Sequence, residues 1–447
     1  MARLVLCRPG LNCPAEKHWS RTPPLGIAYL ASSARARGIE VAVVDGKMLG
    51  HSHPAETAEK ILGGRPDFVG ISSMTVEYPA ARAIAARIKQ ARPDVITVIG
   101  GAHANALPYQ TLQESPQFDY LFAGEAEKGL AELISGGPDS ALGLLTRDNH
   151  TRKHHYESEL ADLPFPAWDL FPRTRSYPLL TERGCPYACV FCSRNSSGRV
   201  RSRPVEQVVE EIKWLLADFT PEEVRVEDET FGQMPGRAEK LLESFIAFKA
   251  PDVRFQAQTR VDCMSGSLAT LMKRAGFEFV QLGVESGDPQ VLKNSGKGIT
   301  LGQVDQAVRT ARAAGLKVWL KFIIGLPGET ESSVRRSIEL ASRLNPERLS
   351  VAVIVAYPGS RVYEWAKGET NGYRITAKSW DRFDKYLSDS LELDTLSAGK
   401  LRRLQVRMYM ETYLRNRRYA EFLRLVLRNF ALAKTILFNA AIRQFKE

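Results

Sequence analysis

Cys185, Cys189 and Cys192 stand in the order Cys-x3-Cys-x2-Cys within Arg-Gly-Cys-Pro-Tyr-Ala-Cys-Val-Phe-Cys-Ser, directly after an apolar, strand-like run. Thiolates favour iron-sulfur clusters and zinc, and cubane clusters usually take four cysteines. Three cysteines on one short loop therefore leave one iron open to a substrate or cofactor. The other cysteines, Cys7, Cys13 and Cys263, lie at no motif-like distance. A four-thiolate zinc site or a closed electron-transfer cluster fits this pattern less well.

At this spacing the segment resembles the radical S-adenosylmethionine family, whose open iron is chelated by the amino and carboxylate groups of the methionine moiety. The resemblance implies a 4Fe-4S cluster on Cys185, Cys189 and Cys192 that passes one electron into the sulfonium. That cleavage would yield a 5'-deoxyadenosyl radical able to take hydrogen from an unactivated C–H bond. The cofactor carries the hard chemistry while the protein positions and shields it. Phe191 matches the aromatic position this family places beside the adenine; a core phenylalanine is the plainer alternative.

The elements that must position this loop begin near Ser176. Strand-like runs near 177 to 182, 223 to 227, 253 to 258, 278 to 283, 317 to 324 and 349 to 355 alternate with helical patterns that include 204 to 217, 236 to 248, 302 to 314 and 332 to 344. Right-handed parallel crossovers of this number predict an open, partial (β/α)6 TIM barrel with its active face at the strand ends. Those ends carry Asp228 and Glu229, then Arg260, then Glu285 and Ser286. By resemblance, the acidic stretch around Glu229 meets the methionine amino group, and Glu285 with Ser286 lies near the ribose. Arg260 is assigned to a carboxylate because a guanidinium grips one through two parallel hydrogen bonds. Surface ion pairing is the ordinary alternative for each. Gly325-Leu326-Pro327-Gly328-Glu329 matches the family's loop beneath the adenine and would equally suit a strand-to-helix turn.

All seven histidines lie at or before His155, so the barrel has none. A proton transfer there needs a carboxylate, Lys, Tyr or Cys of the barrel, with Lys321, Tyr357, Cys263 and Glu329 as candidates, or else a group from the N-terminal domain.

The first part of the chain alternates strands at Arg3 to Cys7, Glu40 to Val44, Phe68 to Ser72, Val95 to Ile99 and Tyr120 to Ala123 with helical patterns. This order predicts a doubly wound, Rossmann-like or flavodoxin-like α/β domain whose ligand sits at the strand ends. Asp45, Ser72, Ser73, Gly100, Gly101, His103, Gly124 and Glu125 occupy those ends. Together with the segments 23 to 31, 98 to 103 and 124 to 127, they resemble the cobalamin-binding domain that precedes many radical S-adenosylmethionine cores. Cobalamin is thus a third implied cofactor. The cobalt-ligating Asp-x-His-x-x-Gly motif would fall on Asp45 to Gly50, where Lys47 replaces histidine. A protonated ammonium has no lone pair to give cobalt. Ala102 likewise stands where proline is frequent, and Asn105 where threonine is common.

The 447 residues, 44% hydrophobic and 25% charged, suggest more than one domain. We place boundaries at 1–140 for the cobalamin-binding-type domain, 141–175 for a hairpin near 142 to 156 and a Pro/aromatic linker, 176–375 for the partial barrel, and 376–447 for a basic helical tail. The opening segment is too short for a secretory signal, and no window approaches the ~20 apolar residues that span a bilayer. Half of the six cysteines sit in one cluster, which points to a reducing, cytoplasmic compartment. Residues 400 to 447 hold twelve Lys or Arg against three Glu, so most of the net charge of +10 lies there. Phe422, Leu425, Val426, Phe430, Ala433, Leu437 and Ala440 recur at helical spacing among Arg424, Arg428 and Arg443. A packed amphipathic helix with a solvated basic face is expected rather than a membrane contact or nucleic-acid binding.

Two reactions stay open, both on a small-molecule, natural-product-like substrate and both fed by a donor such as flavodoxin or ferredoxin. In one, the radical takes a methyl group from methylcobalamin, giving a C-methyltransferase. In the other, the N-terminal domain is a cofactor-free relic or substrate platform, and the radical eliminates or rearranges, as in the diol dehydration of aminoglycoside biosynthesis. A non-enzymatic alternative, a redox sensor or RNA-binding module, predicts a cluster without S-adenosylmethionine cleavage.

Overall fold

In the computed structural model, residues 2–10, 22–149, 154–193, 198–248, 253–385 and 390–428 are described. The chain divides into two compact units. The first comprises residues 1–178, 193–207 and 379–381, and the second the remainder.

The first unit is built on strands Arg3–Arg8 (β1), Glu40–Asp45 (β2), Phe68–Ser72 (β3), Ile96–Gly100 (β4), Tyr120–Phe122 (β5) and Leu144–Leu145 (β6). Their spatial order is β2-β1-β3-β4-β5-β6, parallel up to β5. Helices Leu25–Arg35 (α1), Pro54–Gly63 (α2), Tyr78–Ala91 (α3), Ala102–Ala106 (α4), Pro108–Glu114 (α5) and Glu127–Gly136 (α6) make the connections. Val5, Val69, Ile71, Ile84, Ile88 and Ile99 are buried in its core. The order 2-1-3-4-5 reverses direction between β1 and β3, and such a switch point opens a crevice at the strand ends. Leu144–Leu145 falls within the stretch expected as a hairpin. It adds an antiparallel edge to β5, because two leucines are better buried on that sheet than exposed in a turn. Residues 150 to 153 of that stretch lie outside the described residues.

The second sheet is made of strands Ser176–Leu179 (β7), Glu223–Val226 (β10), Arg254–Arg260 (β11), Phe277–Glu285 (β12), Lys317–Ile324 (β13) and Arg348–Val353 (β14), all but β7 lying wholly in the second unit, with short extended pieces Glu182–Arg183 (β8) and, in the first unit, Arg201–Ser202 (β9) between the first two in sequence. The order β14-β13-β12-β11-β10-β7 places each strand beside the next in sequence, with β10 through β14 parallel. This is the partial barrel. Its helices are Val205–Phe219 (α7), Pro235–Phe248 (α8), Gly266–Arg274 (α9), Pro289–Asn294 (α10), Leu301–Ala313 (α11), Glu331–Leu344 (α12) and Arg361–Lys367 (α13).

Local sequence explains where these helices start. Ser265, Asp288, Thr300, Thr330 and Ser360 each accept a backbone N–H of the first turn of α9 to α13. Helix α11 then buries Val304, Ala307, Val308 and Ala311, a single stripe at helical spacing.

The tail does not begin as a helix. Tyr373–Ile375 (β15) and Leu391–Leu393 (β16) pair antiparallel before Ala398–Arg415 (α14) and Tyr419–Arg428 (α15). Helix α14 caps the edge strand β14: Tyr409 Oη accepts the Val351 N–H at 2.8 Å, and Gln405 Nε2 donates to Val351 O at 2.8 Å. In α15, Phe422, Leu425 and Val426 are half-buried and Leu423 and Leu427 exposed. The tail positions Phe430, Ala433, Leu437, Ala440 and Arg443 fall outside the described residues. No helix among the described residues is long and apolar enough to cross a membrane.

Candidate active site

The cysteine loop leaves the end of β7 and is fastened before it begins. Asp228, buried at the end of β10, accepts Thr181 N at 2.7 Å, Thr181 Oγ1 at 2.5 Å and Glu182 N at 3.0 Å. Burial raises its carboxyl to about 7 against the pull of those donors. Asp228 therefore fixes the strand end. Its neighbour Glu229 accepts Gly184 N at 3.1 Å, one residue before Cys185. Within the loop, Val190 donates to Ser295 O at 3.0 Å and accepts from Val362 N at 3.1 Å, which ties it to the end of α10 and the start of α13.

Cys185 and Cys189 are partly buried, Cys192 is exposed and Phe191 is half-buried. Burial pushes the Cys189 thiol up, while Lys297 and Arg260 pull against it. Neighbouring cations favour the thiolate a metal needs. Among the described residues no three His, Cys, Asp or Glu side chains gather round one ion position. A cubane does not require that, because each thiolate binds a different iron, whereas tetrahedral zinc with Zn–S of ~2.3 Å needs its thiolates close together. The three soft donors on one loop fit a cluster.

Arg260 does not wait for an external carboxylate. Its Nε and Nη2 hold both oxygens of Asp262 at 2.9 and 2.8 Å, Nη2 also reaches Lys297 O at 2.7 Å, and its guanidinium lies 3.6 Å from the Tyr187 ring centroid. Burial lifts the Tyr187 phenol to about 12, and Cys263 Sγ lies 3.8 Å from its hydroxyl. Burial also raises the Cys263 thiol. Cys263 is thus brought up to the loop through Tyr187, a residue the sequence reading passed over.

Glu285 ends β12 with a left-handed φ of 71°, and its carboxylate is bonded to the ammonium of Lys297 with both side chains buried. A non-glycine residue held there is strained, and such positions cluster at functional sites. Lys297 was missed. Its only signal was its place between Gly296 and Gly298, both of which take positive φ. Ser286 is buried and contacts Ser337 Oγ at 3.2 Å.

Glu329 folds back under its own loop. Its carboxylate accepts the Gly325 and Leu326 N–H groups, and burial pushes it up to about 8. Gly325 has φ 99°, and a Cβ there would strike Ile354 Cγ2 at 2.4 Å, so this loop requires glycine. Tyr373 Oη donates to Gly325 O at 2.8 Å. Glu329 shapes the turn and is not exposed as an acid or base. Lys321 bonds the Gln258 amide oxygen across the inner face of the sheet. Tyr357 is half-buried at the turn after β14, where its carbonyl accepts Ser360 N and Oγ at 3.1 and 2.7 Å.

In the first unit, several expected ligand contacts are made by the chain itself. Asp45 is held by Arg8 Nε and Nη2 at 2.9 and 2.6 Å and caps the amides of Lys47 and Met48. Glu125 is gripped by Arg201 at 2.8 and 2.7 Å and accepts Glu157 N at 2.9 Å. A Cβ on Gly124 would overlap His155 O, and one on Gly101 would sit 2.7 Å from Ser73 N, so these glycines admit backbone rather than ligand. Gly100 O accepts Ser73 N at 3.0 Å, and Ser73 O accepts His103 N at 3.2 Å. Ser72, partly buried, closes β3 beside Gly101.

The remaining groups at these strand ends fit a large cofactor without a protein ligand from position 47. The Lys47 ammonium contacts Glu77 Oε1 at 2.7 Å, with both side chains largely buried. His103 is buried and stacked 4.0 Å from Tyr78, with Trp380 edge-on at 5.0 Å. Among the described residues its Nδ1 has no hydrogen-bond partner, and burial lowers the imidazole to about 4, so it is neutral at physiological pH. A buried polar atom without a partner is costly unless something completes it.

Residues 17–134 match the family described as B12 binding domain, and residues 180–341 match the radical SAM superfamily. An uncharacterised methyltransferase of Pyrococcus horikoshii is 32% identical over 413 residues, covering 88% of this chain and 88% of its own. The anaerobic magnesium-protoporphyrin IX monomethyl ester cyclase of Rubrivivax gelatinosus is 23% identical over 430 residues, covering 89% of this chain and 75% of the relative. Among solved structures, the radical S-adenosylmethionine methyltransferase TsrM from Kitasatospora setae, with cobalamin and a 4Fe-4S cluster bound, superposes with a TM-score of 0.70. That match is 19% identical and covers 86% of this chain and 85% of the other.

Proposed function

Because the chain belongs to the radical S-adenosylmethionine enzymes that carry an N-terminal B12-binding domain, we propose that it is a cobalamin-dependent C-methyltransferase acting on a small molecule. One observation carries this reading: a three-cysteine loop on a partial barrel and a 2-1-3-4-5 sheet occur in one chain, and a methyltransferase relative matches across both. When bound, the cluster, S-adenosylmethionine and cobalamin would supply one-electron cleavage and a transferable methyl group. The protein's share is positional. Cys185, Cys189 and Cys192 hold the cluster, Asp228 and Glu229 fasten the strand end in front of it, and Phe191 flanks the adenine. Glu285, set by Lys297, faces the ribose side, and the Gly325 loop supports the base. Asp45, Ser72, Ser73 and His103 frame the corrinoid crevice. A reducing cytoplasm and a flavodoxin or ferredoxin donor complete the setting.

The cyclase relative, and Lys47 in place of a ligating histidine, favour a second outcome: a radical that ends in cyclisation, elimination or rearrangement without methyl transfer.

The test is reduction of anaerobically reconstituted protein with S-adenosylmethionine and a search for 5'-deoxyadenosine. Cys185→Ala, Cys189→Ala and Cys192→Ala should each abolish it together with cluster loading. No 5'-deoxyadenosine with candidate substrates present would refute radical chemistry. A corrinoid spectrum that does not survive desalting would transfer support to the second outcome.

A further inference from the structure

The two faces of the barrel sheet differ in kind. One face, with Ala257, Leu282, Leu320 and Val351, is a fully buried apolar core. The other runs Gln258, Gln281 and Trp319 across β11 to β13 in one layer and Lys321 with Ser350 in the next, because Gln258 is in register with Gln281, Gln281 with Trp319, and Lys321 with Ser350. Filled barrels pack branched apolar side chains on this inner face. Amides, an indole N–H and an ammonium make it a binding lumen instead.

Charge is unevenly matched in that lumen. Gln281 Nε2 donates to Gln256 Oε1 at 3.3 Å, and Trp319 Nε1 donates to Ser350 Oγ at 2.8 Å. These are neutral pairs. Lys321 is a cation whose hydrogen-bond partner is also neutral, the Gln258 amide oxygen. The carboxylates around it are engaged elsewhere: Glu285 by Lys297, and Glu227 by Arg225 at 3.0 Å. Among the described residues, none brings a carboxylate within ion-pair distance of Lys321. Lys385 and Arg225 add positive charge nearby, and burial with Lys385 holds the Lys321 ammonium down at about 8, so it is cationic at neutral pH.

A partly buried ammonium facing a neutral amide loses hydration that only an anion fully replaces. We propose that Lys321 anchors an anionic group, a carboxylate or phosphoryl, on the substrate that enters this lumen. The assignment rests on reading the barrel as the seat of a radical reaction. The other source of such an anion is the carboxylate of S-adenosylmethionine, which the separate titration below distinguishes from a substrate anion.

The test uses cluster-loaded full-length protein and two probes of nearly the same shape, the anionic 3-phenylpropionate and the neutral 3-phenylpropanamide, with affinity read by ligand-observed NMR in the presence of S-adenosylmethionine. The acid should bind about ten-fold or more tightly than the amide, as a charge-assisted hydrogen bond implies. Lys321→Met should reduce that preference to within about two-fold, and Lys321→Arg should retain it. The affinity for S-adenosylmethionine, titrated separately, should change by less than about two-fold in Lys321→Met. An acid that binds no better than the amide, a preference that survives Lys321→Met, or a loss confined to S-adenosylmethionine would each overturn the proposal. Formation of 5'-deoxyadenosine is assayed on its own, so failure of the radical reading is seen separately from failure of the anion site.

Discussion

The Lys297 ammonium is bonded to the Glu285 carboxylate at the end of β12, and both side chains are less than a tenth exposed. Glu285 carries positive φ at the same position, and Lys297 O accepts from Arg260. One buried ion pair therefore joins the strained strand end, the glycine-flanked turn and the guanidinium stacked on Tyr187.

Removing one partner leaves the other charge buried and unpaired. Lys297→Met should cost about 3 kcal/mol or more in denaturant unfolding of this unit, whereas Lys297→Met with Glu285→Gln should recover much of that loss. Equal costs for the single and double variants would show that the pair is solvated and structurally idle.

Lys47 and Glu77 form the corresponding contact in the first unit. An ammonium engaged by a carboxylate offers cobalt no lone pair, so bound cobalamin should lack a nitrogen ligand from residue 47. Lys47→His restores the Asp-x-His-x-x-Gly pattern. Electron paramagnetic resonance of the cobalt(II) form should then gain nitrogen superhyperfine splitting that the parent lacks. The same splitting in both proteins would mean that another residue ligates cobalt.

Strand positions were legible because the β3 and β13 runs, Phe68–Ser72 and Lys317–Ile324, are continuous apolar-rich segments bounded by turns. The cysteine spacing was legible for the same local reason. Partnership was not. Asp228, Arg260 and Glu125 were expected to face ligands because acids and arginines at strand ends often do, yet each is bonded to the chain itself, and Glu329, a candidate acid or base, turns one oxygen to its own loop amides. Whether a carboxylate is free depends on contacts made across the fold, such as Arg201 reaching Glu125. Trp380 beside His103 was likewise hidden, since it reaches that ring from a segment far along the chain.

Asp228 offers a test of fastening against ligand contact. Alanine removes the acceptor for two backbone N–H groups and one hydroxyl, all buried, at ~1–3 kcal/mol for each group left unsatisfied. Asp228→Ala should therefore lower the unfolding midpoint and the iron content per chain together. Asp228→Asn, which keeps one acceptor oxygen, should fall between. Full iron loading and unchanged stability with S-adenosylmethionine affinity lost would place Asp228 at the cofactor instead.

Glu329 separates a shaping role from an acid-base role by its pH dependence. Its carboxyl is raised from 4.5 in the unfolded chain to about 8 by burial, so the folded state binds the extra proton. Stability from this group is fully present below the unfolded value and is lost as pH rises through the folded one. Glutamine keeps the oxygen that accepts Gly325 N and Leu326 N but cannot ionise. Glu329→Gln should thus match the parent only below about pH 4.5, become progressively the more stable protein in unfolding experiments as pH rises from there, with the advantage levelling off above about pH 8, and leave turnover within about two-fold. A catalytic acid or base would lose on the order of 100-fold in the same substitution, with the pH–rate profile losing one limb. That result would move Glu329 from beneath the loop to the reacting atoms.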